Sequence, residues 1–173
     1  MTEKIEQLKP ERLWHYFLEV CKIPRPSKKE EKIAEYLKNW GISAGFEILT
    51  DEIGNVLIRK PASKGKENVR SVILQSHIDM VGEKNSSINH DFTRDPIQPY
   101  VDDEWIKAKG TTLGADDGIG IAATLAVLES TDLVHGPLEA LFTVDEETGL
   151  TGVFGLKPGF LKSTILLDRK SVV

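Results

Sequence analysis

The sequence predicts an α/β protein: a layered, mixed sheet with helices on both faces. Two observations carry this. Segments of helical periodicity alternate with short apolar runs along the 173 residues, the pattern of a sheet covered by helices. Two of the runs, Val72-Ile73-Leu74 and Leu138 to Val144, read as strands buried within the sheet.

The elements follow in order. Pro10 to Val20 reads as a helix, because Pro10 suits a first helical position and Leu13, Phe17 and Val20 share one face. Ile23-Pro24-Arg25-Pro26 ends it, since proline removes a donor and restricts the residue before it. Ser27-Lys28-Lys29-Glu30 has capping-box spacing. The helix after it carries Ile33, Leu37 and Trp40 on one face and stops between Gly41 and Gly45. Phe46 to Leu49 and Asn55 to Arg59 read as strands, with Gly54-Asn55 near their junction. Ala62 to Asn68 is a polar loop, and residues 82–104 read as a long loop without a clear period. Trp105 to Ala108 is a short strand, Gly118 to Leu128 a helix rich in small residues, and Ile165 to Leu167 the start of a last strand. No internal repeat is visible.

Composition narrows the function. Lysine and arginine number 22 against 27 aspartates and glutamates, a net charge of −5, with 40% hydrophobic and 28% charged residues. That is ordinary globular usage and excludes a wholly disordered chain. A pI near 5.4 argues against a nucleic-acid partner. Cys21 stands alone and cannot form an internal disulfide. The polar start, Met1 to Glu6, shows no signal peptide. The apolar stretch from Ile119 to Leu128 is too short to span a bilayer. The expectation is a soluble cytoplasmic protein without a membrane partner.

Three acidic or histidine-bearing segments each read as sitting just after a strand: Ser76-His77-Ile78-Asp79, Ala115-Asp116-Asp117-Gly118 and Asp145-Glu146-Glu147. Ligands of α/β sheets gather outside the carboxyl ends of the strands. His77 and Asp79 are two apart, so in extended chain they point the same way, and a carboxylate there can fix the imidazole tautomer of a metal ligand. A surface histidine–aspartate pair is the plainer alternative. Asp116 and Asp117 repel one another, and their burial is costly without a cation. An exposed Asp-Gly turn is the other reading. One carboxylate can bridge two metal ions about 3.5–4 Å apart. Asp145-Glu146-Glu147 is either a solvated acidic face or a pair of glutamates with separate tasks, one a ligand and the other a general base.

Other signals are weaker. Gly118 to Ala123 matches the dinucleotide pattern G-x-G-x-x-A, but two aspartates precede it where a pyrophosphate needs donors. Close packing of the helix on the sheet explains the small residues better. His15 lies within a helix, His135 precedes Gly136-Pro137 in a turn, and His90 opens His90-Asp91-Phe92 without a role the sequence assigns.

Taken together, Leu74 to Val81, Lys84-Asn85, His90 to Ile97, Gly110 to Gly120 and Asp145 to Gly152 resemble the N-terminal part of the aminoacyl-histidine dipeptidases, Xaa-His dipeptidases of the M20 clan of zinc peptidases. The resemblance runs from about Leu8 to Leu167. It implies an M20-like catalytic domain, incomplete over residues 1–173. It implies two Zn2+ ions, with Mn2+ or Co2+ as alternatives that suit the same donors. His77, Asp116 and Glu147 would be metal ligands, Asp116 bridging both ions. Asp79 would orient His77, and Glu146 would be the general base. The Asp116–Asp117 peptide would be cis. The reaction would be hydrolysis of a dipeptide without a covalent intermediate.

The sequence departs from that family in two respects. Its members are longer, with a lid and dimerisation domain and a second catalytic half that brings another histidine ligand. A specific homodimer is therefore not expected, while non-specific self-association and marginal stability are. The family also places an aspartate ligand in a pattern like Asn-x-Asp-Ser-Glu-Glu, whereas Asp168 follows Ile165-Leu166-Leu167 about two residues early. The competing expectation is a non-catalytic remnant that folds, or binds a metal, without turnover.

Overall fold

In the computed structural model, residues 4–168 are described. After a 3-10 turn at Ile5–Gln7 come helices α1 (Glu11–Cys21) and α2 (Glu31–Ser43), then strands β1 (Glu47–Thr50), β2 (Val56–Lys60) and β3 (Val72–His77). A hairpin of β4 (Pro99–Asp102) and β5 (Trp105–Ala108) precedes α3 (Ala115–Glu129) and β6 (Leu138–Thr143). The chain continues through the one-turn helices α4 (Glu146–Gly149) and α5 (Thr151–Phe154) to β7 (Ile165–Asp168).

The main sheet has the order β1-β2-β6-β3-β7. β1–β2 and β2–β6 are antiparallel, and β6–β3 and β3–β7 are parallel, so the sheet is mixed as predicted. Alternation along β2 sends Val56 and Ile58 to one face and Leu57 to the other. The first face packs against Phe17 and Val20 of α1, Ile33 and Leu37 of α2, and Ile121, Leu125 and Leu128 of α3. On the second face Leu57, Ile73 and Leu141 meet Leu156, Phe160 and Leu161, from the segment that follows α5. All three long helices thus lie on one side, and only short helices and a loop cover the other.

Some local expectations are corrected. Ser27 does not cap α2, whose N-cap is Glu30 without a side-chain cap bond. Residues 82–104 are not all loop, because β4 pairs with β5 across a turn where Asp103 has φ +57°. Pro99 begins that strand, a position where the missing N–H is tolerated. Gly45, at φ +77°, lets the chain leave α2 for β1. α3 starts at Ala115, but Asp116 and Asp117 have non-helical torsions, so the regular helix begins at Gly118 as the sequence predicts.

Candidate functional site

Parallel pairing of β3 with β6 sets His77 opposite Thr143, and the Ile78 N–H donates to the Thr143 carbonyl at 2.9 Å. The segments leaving the two strands therefore emerge side by side; the third segment, Ala115 to Gly118, does not leave a strand as expected but opens α3 after the loop 109–114, which carries it to the other two. His77 is buried. Its Nδ1 donates to Asp79 Oδ1 at 3.2 Å, and its Nε2 lies 3.0 Å from Asp116 Oδ1 and 4.0 Å from Glu146 Oε2. Both ring nitrogens face carboxylates, which accept only. Burial works against the imidazolium, but the bonds to Asp79 and Asp116 outweigh it and raise the His77 pKa.

Asp79 is fully buried. Its carboxylate accepts from Ser27 Oγ at 2.7 Å, from the Glu146 N–H at 3.0 Å and from the Glu147 N–H at 3.1 Å, besides His77. Burial alone would raise its pKa, yet these donors hold it below the ordinary carboxylate value. The His-x-Asp spacing is thus an oriented pair and not a surface turn.

The adjacent aspartates part company. The Asp116–Asp117 peptide is cis. The Asp116 side chain is 59% exposed and turns to His77. Asp117 is buried, and its Oδ1 accepts the Gly120 N–H at 3.1 Å at the start of the regular helix. That carboxylate sits at the amide end of α3, where the dinucleotide reading needs a phosphate.

The acidic run after β6 is not a solvated face, since Asp145 and Glu146 are buried. Asp145, at φ +52°, takes the hydroxyls of Thr148 and Thr151, and these bonds hold its pKa low. Glu147 is partly exposed, and burial, then repulsion from Asp116 and Asp79, raises its pKa against the pull of His77. Glu146 and His77 share the wall of a cavity of about 270 Å³ with Leu141, Leu150, Val153 and Leu166. A larger cleft of about 560 Å³ lies by Arg59, Pro137 and Glu139, at the far end of β6, and contains none of the candidate ligands.

His77, Asp116 and Glu147 each offer a donor atom, all within 4.8 Å of one another. One imidazole and two carboxylates form a donor set that divalent first-row ions take. The 3.0 Å between His77 Nε2 and Asp116 Oδ1 compares with roughly 3.3 Å for two donors sharing a tetrahedral ion. The residues fit a divalent cation. Asp168 is outside this donor group, though it shares the cavity wall with His77 and Glu146; in register it pairs with Gln75, two positions before His77 along β3. Two residues of strand are roughly 6–7 Å. The residues after Asp168 lie outside those described. His90 also stays apart, with its ring edge-on to Phe92 at 4.5 Å and its carbonyl accepting from Lys84 Nζ.

Sequence reasoning missed four residues around the site. Arg25, Ser27, Glu30 and Asn55 bond to its backbone or carboxylates. Asn55 is fully buried, accepts the Val144 N–H at 3.1 Å and donates to the Gly152 carbonyl at 2.8 Å, which fixes the turn carrying Glu146 and Glu147. The Pro-Arg-Pro-Ser run signals only a chain break, and no local pattern reveals bonds to residues so far along the chain.

The chain is similar to known proteins. The chain is 53% identical over 168 residues to the cytosol non-specific dipeptidase of Escherichia coli (strain K12), covering 97% of this chain and 35% of that protein. The aminoacylhistidine dipeptidase of Vibrio alginolyticus superposes with a TM-score of 0.96 at 55% identity, over 98% of this chain and 34% of that one. A tripeptidase from Staphylococcus aureus matches with a TM-score of 0.78 at 27% identity, over 94% of this chain and 44% of that one. The chain thus spans about a third of the length of the dipeptidases it matches. Residues 73–168, which include every candidate ligand and the candidate base, match the family model for peptidase family M20/M25/M40. With more than half of its residues inside that match, the chain belongs to peptidase family M20/M25/M40.

Proposed function

We propose that this chain carries part of the active site of a metal-dependent dipeptidase that acts in the cytoplasm on Xaa-His and other dipeptides. The supporting observation is His77, held between Asp79 and Asp116 and 4.0 Å from Glu146. The names of the Escherichia coli and Vibrio relatives support the substrate class and the compartment. Among the described residues no helix is long and apolar enough to cross a membrane.

In this reading His77, Asp116 and Glu147 hold the ion, Zn2+ in the first instance, and Asp116, the most exposed of the three, is the ligand open to a second ion. When bound, a divalent cation supplies a Lewis acid for the scissile carbonyl and lowers the pKa of water toward neutrality. Asp79 keeps the His77 ring fixed through Nδ1 and leaves Nε2 to the ion. Glu146 takes a proton from the attacking water and returns it to the leaving amine. Its backbone is pinned by Asp79, so its position relative to His77 is set before substrate arrives. Residues 1–173 are read as part of a catalytic domain.

The test is dipeptide hydrolysis by the metal-loaded chain and by Glu146→Gln. Turnover that falls about 10²–10⁴-fold in the variant, with metal retained, supports the base assignment. Turnover equal in both contradicts it. The donor set of His77, Asp116 and Glu147, enough for one ion, also suits a second reading, a chain that binds one ion without turnover. Metal retention without hydrolysis by either form supports that alternative.

A further inference from the structure

We propose that the connector between α1 and α2, residues 25–30, positions the ion-binding segments, with Arg25 and Ser27 as positioning residues. The inference rests on reading His77, Asp116 and Glu147 as ligands.

Arg25 is 2% exposed. Its Nη1 donates to the carbonyls of Ile78 at 3.1 Å and Asp79 at 2.8 Å, and its Nη2 donates to the carbonyl of Gly114. One planar guanidinium therefore ties the backbone just after His77 to the backbone just before Asp116. A lysine ammonium has no fork to span the two. The Arg25 carbonyl in turn accepts the Met80 N–H at 3.1 Å, so the connector lies along the exit of β3. Ser27 Oγ donates to Asp79 Oδ2, the oxygen that also receives the Glu147 N–H. Glu30 Oε1 accepts the N–H of Asp145 at 3.1 Å, immediately before Glu146. The connector thus touches the His77, Asp116 and Glu147 segments separately.

Two glycines record how closely the guanidinium lies. A Cβ at Gly114 would sit 2.9 Å from Arg25 Nη2, and one at Gly118 would sit 2.7 Å from it. Gly118→Ala therefore displaces Arg25 without altering it, a second route to the same disturbance.

The experiment uses the 173-residue chain with two readouts. One is amide hydrogen exchange of Glu146 and Glu147 in metal-free protein. The other is Zn2+ affinity by chelator competition. Ser27→Ala is expected to speed exchange at both amides by about tenfold while Phe142 in β6 is unchanged. It is also expected to weaken Zn2+ binding about 10–100-fold, as loss of an outer hydrogen bond does. Ser27→Thr keeps the hydroxyl and restores both. Arg25→Lys and Gly118→Ala weaken Zn2+ binding likewise. Ile58→Val, a core change away from the connector, lowers Tm and moves neither readout. If Arg25→Lys does not fold, Ser27→Ala and Gly118→Ala carry the test. Parental exchange rates and affinities in these variants overturn the proposal. A parent chain that takes no Zn2+ contradicts the ligand reading instead, and the exchange of Glu146 and Glu147 still decides the role of the connector.

Discussion

The carboxylate of Asp79 accepts the backbone N–H of Glu146 at 3.0 Å through Oδ1, the oxygen that also receives His77 Nδ1. One buried atom thereby fixes both the candidate ligand and the candidate base. Asp79→Asn replaces one acceptor oxygen by a donor facing hydroxyl or amide donors. The expected result is Zn2+ affinity lowered about 10–100-fold and a cost of about 2–4 kcal/mol in folding. Chelator competition and urea unfolding check the two parts.

Asp116 and Asp117 should respond in opposite ways although they are neighbours. Asp117→Ala removes the acceptor for the Gly120 N–H and should cost about 0.5–2 kcal/mol, as lost helix caps do. At a pH above the raised His77 value, Asp116→Asn should lower Tm less than Asp117→Ala does, and it should reduce metal retained on dialysis. Melting curves and metal analysis on the same samples separate them.

The Arg59–Glu139 pair lies apart from the site and governs stability. Arg59 Nε donates to Glu139 Oε1 at 2.8 Å, and the N–H groups of Lys162 and Ser163 donate to the same carboxylate. Burial opposes ionisation of Glu139, but these donors outweigh it and lower its pKa. The stabilisation is present above the ordinary glutamate value and is lost as pH falls through the lowered one. Arg59→Met removes the charged partner but leaves the Lys162 and Ser163 N–H donors, and should cost about 1.5–3 kcal/mol at neutral pH, less in acid. Denaturant titrations at several pH values check this.

His77 gives the opposite sign. Its pKa is raised in the metal-free chain, so its stabilisation is present below the ordinary value of 6.5 and is lost as pH rises through the raised one. A metal must displace the proton on Nε2. Zn2+ affinity should therefore fall as pH drops below the raised value, by up to about tenfold per pH unit, with proton release on binding. Calorimetry in buffers of different ionisation enthalpy measures that release.

β7 is the outer strand beyond β3, and Leu166 and Leu167 are 53% and 56% exposed. Apolar edges promote association. Sedimentation should show concentration-dependent self-association of this chain, reduced in Leu166→Lys.

Much of this was legible locally. Leu138 to Thr143 reads as a strand from its own apolar run, and Gly118 to Leu128 as a helix from its small residues and periodicity. The His-x-Asp spacing already places Asp79 beside His77, because both sit on one strand exit. The separate fates of Asp116 and Asp117 depend on a cis peptide and a kink that no periodicity encodes. Ser27 has capping-box spacing, but the chain turns at Lys28 (φ +66°) and α2 starts only at Glu31, so the Ser27 hydroxyl lies outside the first turn and donates to Asp79, 52 residues away. β4 was hidden because four residues beginning with proline and ending in aspartate give too little alternation.

The central claim is that His77, Asp116 and Glu147 together hold a metal ion. Its most direct measurement is tightly bound zinc per chain on dialysed protein, parent against His77→Ala. The account predicts at least one zinc per parent chain and a near-complete loss in the variant. No zinc in the parent, or equal zinc in both, would contradict it.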